Sequence, residues 1–576
     1  MTNIRELLTL QFGNYANYVG AHWWNIQESG FSYDSSDEPS EICHDILYRQ
    51  GVNHNRQTTF TPRLLLVDLE GSLKHLPREG ELYGNSLKRD SHLNLLRSKD
   101  AKEAAEEPEA VKKLKEDLAW HSSEVEIVAQ EEAKKHEFQS DLDNASTSVE
   151  EKDYNLADNV DSWVDFLYGR YHPRTVHVVN EFRHNPERQT LDTNTSGVQL
   201  WKTEQFEDDF CDRIRQYVEE CDFLQGFQTL FDSFNGFSGL ATQCMEHLND
   251  EYGKANLAVP IYSPKNVLYE NADEPMSDSI RVVNSALVFS QLIEQASLFI
   301  PLSTQDRVWR QLGTSRLFPS LHYRNDNLYQ TSAILASYLD TISLRYRLKD
   351  APGSNTLAGF CGDMNNYGRK FAAAAFSFPF NMQYNMDLID CLDKFEGPLL
   401  SQLTPNCKIG NDYVIQSLCA RGIPNDRLKR PREQCNKDQM RMAAYRCESV
   451  SEMFQLYLQC ANHASMAHVT SIQSPMPTRL PFPDEIFSDS LTTSGFVHPN
   501  EKRNMQQKIK SVPCVASIQS SSELGDTLET LHREAKRIKI AKLHRFKAAG
   551  LEDDDFAEVL ESLLLFKDNY EDNFEL

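Results

Sequence analysis

The sequence predicts an α/β protein built on a parallel, Rossmann-like sheet, and two stretches carry that prediction. In residues 219–252, the apolar run 223–231 is typical of a buried parallel strand, and apolar residues from Leu240 onward recur at helical spacing. At the N-terminus, residues 7–24 again predict a strand, a glycine-containing turn and a helix with one buried face. Strands that alternate with helices in this way pair in parallel, with the helices packed on the sheet.

The remaining elements are predicted from the same patterns. Short apolar runs between polar boundaries favour strands, and apolar residues three or four positions apart favour helices. The predicted strands cover residues 64–67 and 257–262, with a buried segment at 413–422. The predicted helices cover residues 206–217, 280–298 and 328–344. Loops are predicted at 474–483 and 511–522, which are rich in Pro and Ser.

The charge and cysteine content of the chain exclude several classes of function. The 576 residues include 59 basic and 85 acidic side chains, which give a net charge of −26 at pH 7. Such an acidic chain opposes binding to phosphate backbones, so nucleic acid is not an expected partner. The 12 cysteines include no Cys-x-x-Cys pair, so neither a zinc site nor a disulfide framework is predicted.

No transmembrane segment is predicted. The most apolar run, 371–380, is about half of the roughly 20 residues that a membrane-spanning helix needs. The N-terminus lacks both the apolar core of a secretory signal and the acid-free, Arg- and Ser-rich composition of a mitochondrial import sequence. Any contact with a membrane is therefore expected to be peripheral.

Residues 79–156 differ in composition from the rest of the chain. They are rich in Lys, Glu, Asp, Ser and Ala, as in AKEAAEEPEAVKKLKEDLAW, and contain few large apolar residues. Such a segment cannot bury enough apolar surface to offset the entropy lost on ordering. We expect a disordered, solvated insert, which serves either as a regulatory or partner-binding loop or as an inert linker.

Three stretches resemble tubulin, in the order in which tubulin has them. RELLTLQFGNYANYVGAHWW resembles the first strand, phosphate loop and helix, and FTPRLLLVDLEGS resembles the strand and acidic loop that follow. ECDFLQGFQ, with the helix ending in NDEY, resembles a further phosphate-loop region. Over nearly its whole length the sequence resembles the Misato family of tubulin-like proteins. This implies a tubulin/FtsZ-like fold with a nucleotide-binding-type domain at 1–345, a second α/β domain at 346–515 and a C-terminal helical hairpin at 516–576.

The family resemblance also implies a function. Misato-family proteins are known for effects on mitochondrial distribution and morphology and on chromosome segregation. We therefore expect a regulator of these processes that also acts in spindle assembly. The expected location is the cytoplasm and the outer face of mitochondria. Tubulin or microtubules are expected partners, and fold-level analogy adds the cytosolic chaperonin.

The resemblance implies a degenerate GTP site, and the residue types have a chemical rationale. The turn 235–239 precedes a helix whose first N–H groups could meet a phosphate, and carboxylates such as Asp68 and Glu70 suit a magnesium ion. A tight strand-to-helix connection and ordinary loop carboxylates are the alternatives. The residues carried over are Gly13, Asn14, Asn17, Asp68, Glu70, Asn235, Gly236, Ser238 and Gly239.

Four residues argue against a working site. Tyr15 and Ala16 place larger side chains where tubulin has a cysteine and a glycine, and Leu302 stands near its base-binding asparagine. Residues 362–380 resemble the tubulin loop and helix that supply the acid for hydrolysis, but Tyr367 takes the acid position and tyrosine is a poor general base. We expect no catalytic residue, metal or bound cofactor. The alternative is an active GTPase that binds GTP and assembles head to tail.

The C-terminus contains the one concentrated basic patch in the sequence. Leu524, Leu528 and Leu531 keep helical spacing, and a second helix follows the acidic residues 552–555. The pair resembles the helices on the outer face of tubulin where motor proteins dock. The patch is expected to bind acidic tubulin tails or to make the protein a peripheral mitochondrial membrane adaptor; an ordinary solvated helix face is the alternative. The predicted partner-binding residues are Arg533, Lys536, Arg537, Lys539 and Lys542, and Arg545 and Lys547 continue the basic stretch.

Overall fold

The computed structural model contains two α/β units on either side of a central helix. The described residues are 5–31, 40–52, 56, 58–77, 134–144, 149, 152–265, 268–269, 274–349, 355–395, 397–408, 415–431, 435, 437–461, 466–498, 500–504 and 506–571. Each unit has its own sheet, and helices pack against both sheets.

The first unit runs to the end of the central helix, α8. Its strands are β1 (Leu7–Phe12), β2 (Tyr48–Val52), β3 (Thr58–Pro62), β4 (Leu64–Glu70), β5 (Val176–Arg183), β6 (Arg188–Gln189), β7 (Gly226–Asp232), β8 (Ala255–Ile261), β9 (Leu268–Tyr269) and β10 (Leu298–Phe299). Its helices are α1 (Asn14–Ser29), α2 (Glu137–Asp143), α3 (Leu156–Asn159), α4 (Asn194–Trp201), α5 (Cys211–Glu219), α6 (Phe237–Tyr252), α7 (Glu274–Gln295) and α8 (Leu328–Ile342). A π-helix, Gln205–Phe210, leads directly into α5.

The sheet of the first unit is parallel, with six strands in the order β10-β8-β7-β1-β4-β5. β1 lies between β7 and β4, with Leu7 opposite Gly226 and Thr9 opposite Leu64. Every side chain of β1 and β7 is buried, because core clusters cover both faces of the sheet. The predicted parallel sheet is confirmed, and the carboxyl ends of β1, β4 and β7 meet at one edge.

The second unit and the C-terminus contain the remaining elements. The strands are β11 (Ala373–Ser377), β12 (Ser401–Gln402), β13 (Ile415–Arg421), β14 (Met466–Ile472), β15 (Met476–Pro477), β16 (Ser511–Val512) and β17 (Cys514–Ser520). The helices are α9 (Leu357–Met364), α10 (Leu388–Asp393), α11 (Val450–Ala461), α12 (Glu523–Lys536), α13 (His544–Ala548) and α14 (Asp553–Asp568).

Short 3-10 turns occur in both units and at the C-terminus. They lie at His44–Ile46, Trp163–Phe166, Ser343–Tyr346, Asn366–Gly368, Asn425–Arg427, Gln439–Arg441, Ala443–Arg446, Asp484–Ile486 and Ile540–Lys542.

The second sheet corrects the loop predicted at 511–522. Its order is β12-β11-β17-β13-β14, with β17 antiparallel to both of its neighbours. All the side chains of β17 are buried, although CVASIQS mixes small and polar residues. Pairing on both sides satisfies the backbone of this strand and makes up for its weak apolar pattern. β17 also passes the predicted domain boundary at 515.

The loop and helix predicted in 362–380 are replaced by a turn and a strand. α9 ends at Met364, the 3-10 turn Asn366–Gly368 follows, and β11 occupies Ala373–Ser377. β11 pairs antiparallel with β17, and all its side chains are buried. Burial beside a neighbouring strand therefore overrides the helix propensity of the run of alanines.

The disordered insert predicted at 79–156 is corrected at its C-terminal end. Residues 78–133 lie outside the described residues, so disorder there stays a prediction. α2 is folded, since Phe138 is fully buried and the side-chain amide of Gln139 donates to the carbonyl oxygen of Leu167 at 2.7 Å. A buried ring and a satisfied buried amide are enough to dock a short helix with charged flanks.

The C-terminal helices pair as predicted, and they connect the two units. α12 and α14 pack against each other and on α7 of the first unit. Leu528 and Phe566 are among the side chains that this contact buries. The hydroxyl of Tyr570 donates to the carbonyl oxygen of Phe371 (2.7 Å) and accepts from the N–H of the same residue (2.8 Å), just before β11.

A buried ion cluster joins the two units through the central helix. Asp340 of α8 accepts hydrogen bonds from Gln27 of α1 (2.7 Å) and from Arg347 (2.9 Å). It also pairs with Arg421 of β13, and all four side chains are buried. Burial alone would raise the pKa of Asp340, but the guanidinium groups of Arg421 and Arg347 outweigh burial and lower that pKa. The carboxyl therefore stays charged.

Replacing Asp340 with asparagine should destabilise the protein by about 3–5 kcal/mol, because two buried guanidinium groups lose their counter-charge. Urea unfolding followed by circular dichroism measures the change. The matched control is Asp212→Asn, whose pair with Arg215 (3.0 Å) lies on the surface and should leave the midpoint nearly unchanged. Equal effects of the two substitutions would show that the cluster does not hold the units together.

Candidate functional site

The residues predicted to bind nucleotide lie where β1, β4 and β7 end. This edge carries a cavity of about 430 Å³, whose lining includes Asn14, Tyr15, Asp68, Asp232 and Asn235. Parallel α/β sheets bind ligands at this edge, outside the carboxyl ends of their strands. The fold therefore brings the predicted residues to one place, and the contacts of each residue show what the cavity can hold.

The N-terminus of α1 is occupied by a carboxyl group of the chain itself. Asp232, the last residue of β7, accepts hydrogen bonds from the backbone N–H groups of Ala16 (2.8 Å) and Tyr15 (3.3 Å). Asp232 is only 1% exposed. Gly13 makes room for it, since a Cβ there would lie 2.6 Å from the carboxyl carbon of Asp232, and the φ of Gly13 is 109°. A helix N-terminus favours an anion, and this one holds an internal acidic group.

Burial raises the pKa of Asp232 to about 7, and the hydrogen bonds from Ala16 and Tyr15 offset this only in part. The nearby Asp68 carboxylate acts in the same direction as burial. At neutral pH the group is therefore divided between acid and carboxylate. Asp232 was not among the predicted site residues. Its one signal in the sequence is an acidic residue that ends a buried strand directly before the glycine turn.

Asp68 is satisfied by other parts of the chain. Its carboxylate accepts from the side-chain amide of Asn17 (3.1 Å), the indole N–H of Trp163 (2.9 Å) and a backbone N–H (2.8 Å). These donors occupy three of the roughly four acceptor positions of a fully buried carboxylate, so Asp68 has a structural role within the chain. Glu70 is half-buried at the end of β4. Nothing in the sequence indicated that Trp163 would contact Asp68, because 95 residues separate the two.

The turn before α6 uses its N–H donors internally. The N–H of Gly236 donates to the carbonyl oxygen of Leu191 (3.1 Å), and the N–H of Phe237 donates to the side-chain oxygen of Asn235 (3.0 Å). The N–H and the hydroxyl of Ser238 both donate to the carbonyl oxygen of Asn235, at 3.2 and 2.6 Å. A phosphate would need these N–H groups, so the turn has the shape of a phosphate loop while its donors are engaged.

The glycines of this turn allow two helices to pack closely. A Cβ at Gly239 would lie 2.0 Å from the carbonyl oxygen of Asn194, and a Cβ at Gly197 would lie 1.8 Å from that of Gly236. α4 therefore approaches α6 at a distance that only glycine permits. Gly236 and Gly239 are both buried. These contacts are the ones expected of a tight connection rather than of an exposed phosphate cradle.

Three of the residues predicted to argue against GTP now have defined surroundings. Tyr15 buries its ring beside the cavity and donates from its hydroxyl to the hydroxyl of Thr331 on α8 (3.0 Å). Leu302 is fully buried, and its side chain offers no polar group to a base. Tyr367 lies in the exposed turn Asn366–Gly368 with a φ of 58°.

A short helix closes one side of the cavity. Arg324 pairs with Asp158 of α3 (2.7 Å), and the side-chain amide of Asn327 donates to the backbone of the same helix at 2.6 Å. α3 is thereby tethered to the start of α8. Arg188 and Lys265 are exposed and add basic charge to the rim of the cavity.

The described part of the chain lacks metal-binding clusters, membrane-spanning helices and disulfide bonds. It contains no group of three or more His, Cys, Asp or Glu side chains that could hold a metal ion. None of its helices combines the length and the apolar character needed to cross a membrane. Its 12 cysteines form no disulfide.

The predicted basic patch is exposed at the end of α12 and in the turn that follows. Arg537 pairs with Glu534 (2.9 Å), and Arg533 donates to the hydroxyl of Thr530 (3.1 Å), so these two side chains are engaged within the helix. The other three members enter none of the ion pairs between described residues. They are Lys536, Lys539 and Lys542.

The parallel sheet with its cavity, the central helix, the second α/β unit and the paired C-terminal helices define a tubulin-like protein. Sequence comparison agrees with this class. Residues 154–348 match the family model described as a tubulin domain. Residues 5–144 match the model described as the Misato Segment II tubulin-like domain.

Whole-length relatives identify the family. The chain is 47% identical to Protein misato of Drosophila melanogaster over 581 residues, which cover 100% of both chains. It is 31% identical to Protein misato homolog 1 of Homo sapiens, over 97% of this chain and 96% of that one. Identity to Protein misato homolog 1 of Danio rerio is 30%, over 97% and 95% of the two chains. The chain belongs to the Misato family, as its resemblance predicted.

Asp232→Asn should change how stability depends on pH. The pKa of about 7 in the folded protein exceeds the value of about 4 for an unfolded aspartate, so the contribution of Asp232 to stability is complete below about pH 4 and is lost as the pH rises through about 7. Over that range the wild-type protein should lose a few kcal/mol relative to the variant, at about 1.4 kcal/mol per pKa unit. Urea unfolding at a series of pH values measures the difference. Parallel curves for the two proteins would contradict the raised pKa.

Proposed function

We propose that this protein is a non-enzymatic, tubulin-like regulator of mitochondrial distribution and morphology that also acts in spindle assembly and chromosome segregation. Membership of the Misato family supports the mitochondrial and mitotic parts of the proposal. The contacts around the cavity support the non-enzymatic part. The protein acts as a partner-binding body in the cytoplasm and, peripherally, on the outer face of mitochondria, and it does so without a bound cofactor.

The observation that carries the non-enzymatic proposal is the position of Asp232. A phosphate at the N-terminus of α1 would need the N–H groups of Tyr15 and Ala16, which donate to Asp232 at 3.3 and 2.8 Å. It would also bring a second negative charge against a buried carboxyl group, where water screens repulsion poorly. Phosphate binding therefore requires Asp232 to move away from these N–H groups, because protonating it, which costs little at a pKa of about 7, does not release them.

The segment that resembles the hydrolytic loop of tubulin supports the same proposal. Tyr367, which is 73% exposed, stands at the position of the acid, and a phenol is a poor general base at neutral pH. Asp363, the nearby acid in this segment, pairs with Arg345. A shift of the loop would have to break that pair before Asp363 could take the role.

The partners are proposed from charge. On a chain with a net charge of −26, Lys536, Lys539 and Lys542 concentrate positive charge on the C-terminal hairpin. The acidic tails of tubulin, in microtubules or as free dimers, complement this surface. The cytosolic chaperonin is a further proposed partner, on fold-level analogy alone. Recovery no better than that of a non-client protein in a chaperonin pull-down would count against it.

An active GTPase is the second candidate function, and the cavity favours it. A volume of about 430 Å³ and a rim with Arg188, Lys265 and Arg324 are features that nucleotide pockets share. The two candidates differ in whether the N–H groups at the floor of the cavity are available. Nucleotide content therefore distinguishes them.

Protein purified without added nucleotide should contain no guanine nucleotide, because internal acceptors hold the phosphate donors. Denaturing the protein and analysing the supernatant by ion-exchange chromatography measures the content, with tubulin as the positive control. In a titration with GTP and magnesium the wild type should give no signal, whereas Asp232→Ala, which releases the N–H groups of Tyr15 and Ala16, should bind weakly. Near-stoichiometric guanine nucleotide in the wild type would overturn the proposal and support the GTPase.

Glutamate at positions 536, 539 and 542 should weaken cosedimentation with microtubules about ten-fold, because attraction to acidic tails becomes repulsion. The substitutions are Lys536→Glu, Lys539→Glu and Lys542→Glu, and Arg215→Glu on the exposed surface of α5 is the control. Removing the tubulin tails by limited proteolysis should abolish the difference. Microtubule binding that survives the triple substitution would contradict a docking role. Wild-type binding to anionic liposomes without binding to microtubules would favour the membrane adaptor.

A further inference from the structure

The second sheet ends in a strand whose outer edge has no partner in the described part of the chain. β14 pairs with β13 along its whole length, from Met466 opposite Ile415 to Ile472 opposite Arg421. The sheet order places no further strand beside it. No backbone hydrogen bond from 466–471 to a described residue other than those of β13 is present. Within the described residues, the outer edge of β14 is thus a row of N–H and C=O groups without backbone partners.

The long edge of the first sheet is protected, in contrast. The side-chain amide of Gln205 donates to the carbonyl oxygen of Val178 on β5 (2.5 Å), and the guanidinium of Arg213 donates to that of Val176 (2.7 Å). The remaining edge strands of the two sheets, β10 and β12, have two residues each. Among the described edges of the two main sheets, β14 is therefore the one long edge strand whose backbone groups are not capped by side chains.

β14 also lacks the residues that discourage pairing at an edge. Its sequence, MAHVTSI, contains no Lys, Arg, Asp, Glu or Pro. Its register with β13 has no bulge. Edge strands that must stay unpaired usually carry such features. A half-exposed edge strand of this length that lacks charged residues, proline and bulges is typical of strands that pair with a strand of a partner protein.

One face of the sheet beside this edge is apolar. Ala467 and Val469 are half-buried and pack, with Leu456 and Tyr457 of α11, against one core cluster. Met466, which alternation places on the opposite face together with His468, is 54% exposed. Successive side chains of a strand point to opposite faces, so every second side chain of an added strand would meet this apolar row.

The other face carries a buried cation with an unused donor. Arg345 is 4% exposed and pairs with Asp363, but its Nη1 is buried without an acceptor among the described residues. The same carboxylate lies 3.8 Å from Nδ1 of His468 on β14. Nε2 of His468 is likewise buried without a described partner. A guanidinium has five N–H donors, and an acceptor on an added strand would reach Nη1 through movement of the Asp363 and His468 side chains, each about a third exposed.

We propose that β14 is a docking strand for an extended segment of a partner protein, in which apolar residues alternate with residues that carry carboxylate or amide oxygens. The apolar residues pack on the α11 side, and the oxygens accept from Arg345. A second copy of β14 fits less well, because MAHVTSI offers hydroxyl groups but no carboxylate, which forms the stronger bond to a guanidinium. The inference rests on the proposed partner-binding role and adds the chemistry of the partner.

Selection from a displayed library of random peptides on the immobilised full-length protein tests the proposal. Enriched peptides should alternate apolar and acceptor-bearing residues, and as synthetic peptides they should slow amide hydrogen exchange in 466–472. Met466→Lys, which adds charge at an exposed position of the edge, and Arg345→Gln should each weaken binding about ten-fold or more. The matched control is Asn180→Lys on the protected edge of β5, which should leave the affinity unchanged.

Thermal unfolding establishes that each variant is folded. If Arg345→Gln fails to fold, the exposed Met466→Lys substitution still decides the outcome. The proposal is overturned if no peptide is enriched over selection on an unrelated protein, if the peptides bind without protecting 466–472, or if Met466→Lys leaves their affinity unchanged. Nucleotide content does not depend on this edge, so the two proposals can fail separately.

Discussion

The arrangement of the two α/β units depends on one buried carboxylate, that of Asp340. It lies on the central helix, and donors from α1 and β13 converge on it together with Arg347. A buried ion cluster adds little net stability compared with apolar packing, but the loss of one member leaves the other charges uncompensated. We therefore interpret the cluster as a constraint on geometry. Its guanidinium groups are neutralised only when both sheets pack on α8 in one relative position, which ties the strand-edge cavity to the second sheet and its open strand.

Asp232 shows what a buried carboxyl group does without a cation. Asp340 and Asp232 are both almost fully buried, yet two guanidinium groups lower the pKa of Asp340, whereas burial raises the pKa of Asp232 to about 7. Asp232 is stabilised instead by a helix N-terminus and by partial protonation. A helix end that favours an anion is thus satisfied from within the chain, and the fold has no need of a bound phosphate to complete it. The strand edge keeps the architecture of a nucleotide site, and at the start of α1 a carboxyl group of the chain itself accepts from the N–H donors.

Local sequence patterns predicted the parallel sheet, the central helix and the C-terminal hairpin because those elements have long apolar repeats that report burial directly. They failed for β17, whose small and polar residues are buried by strands on both sides, and for β11, whose alanines favour helix locally. The residues predicted for a GTP site come together at one edge of the sheet. Whether their donors are engaged was beyond prediction, since the contact of Asp232 with Tyr15 spans 217 residues and that of Trp163 with Asp68 spans 95.

The hydrogen bonds made at the strand edge affect which surfaces of the molecule can bind a partner. At the cavity edge of the first sheet, the N–H donors at the start of α1 and in the turn before α6 are engaged within the chain. Among the described residues, the basic end of the C-terminal hairpin and the edge of β14 still have unused charge or hydrogen-bonding groups. They act on different steps of association, because long-range charge mainly raises the rate of encounter, whereas desolvated, hydrogen-bonded contacts mainly slow dissociation. Both proposed docking surfaces would therefore bind a partner without using the N–H donors of the strand-edge cavity.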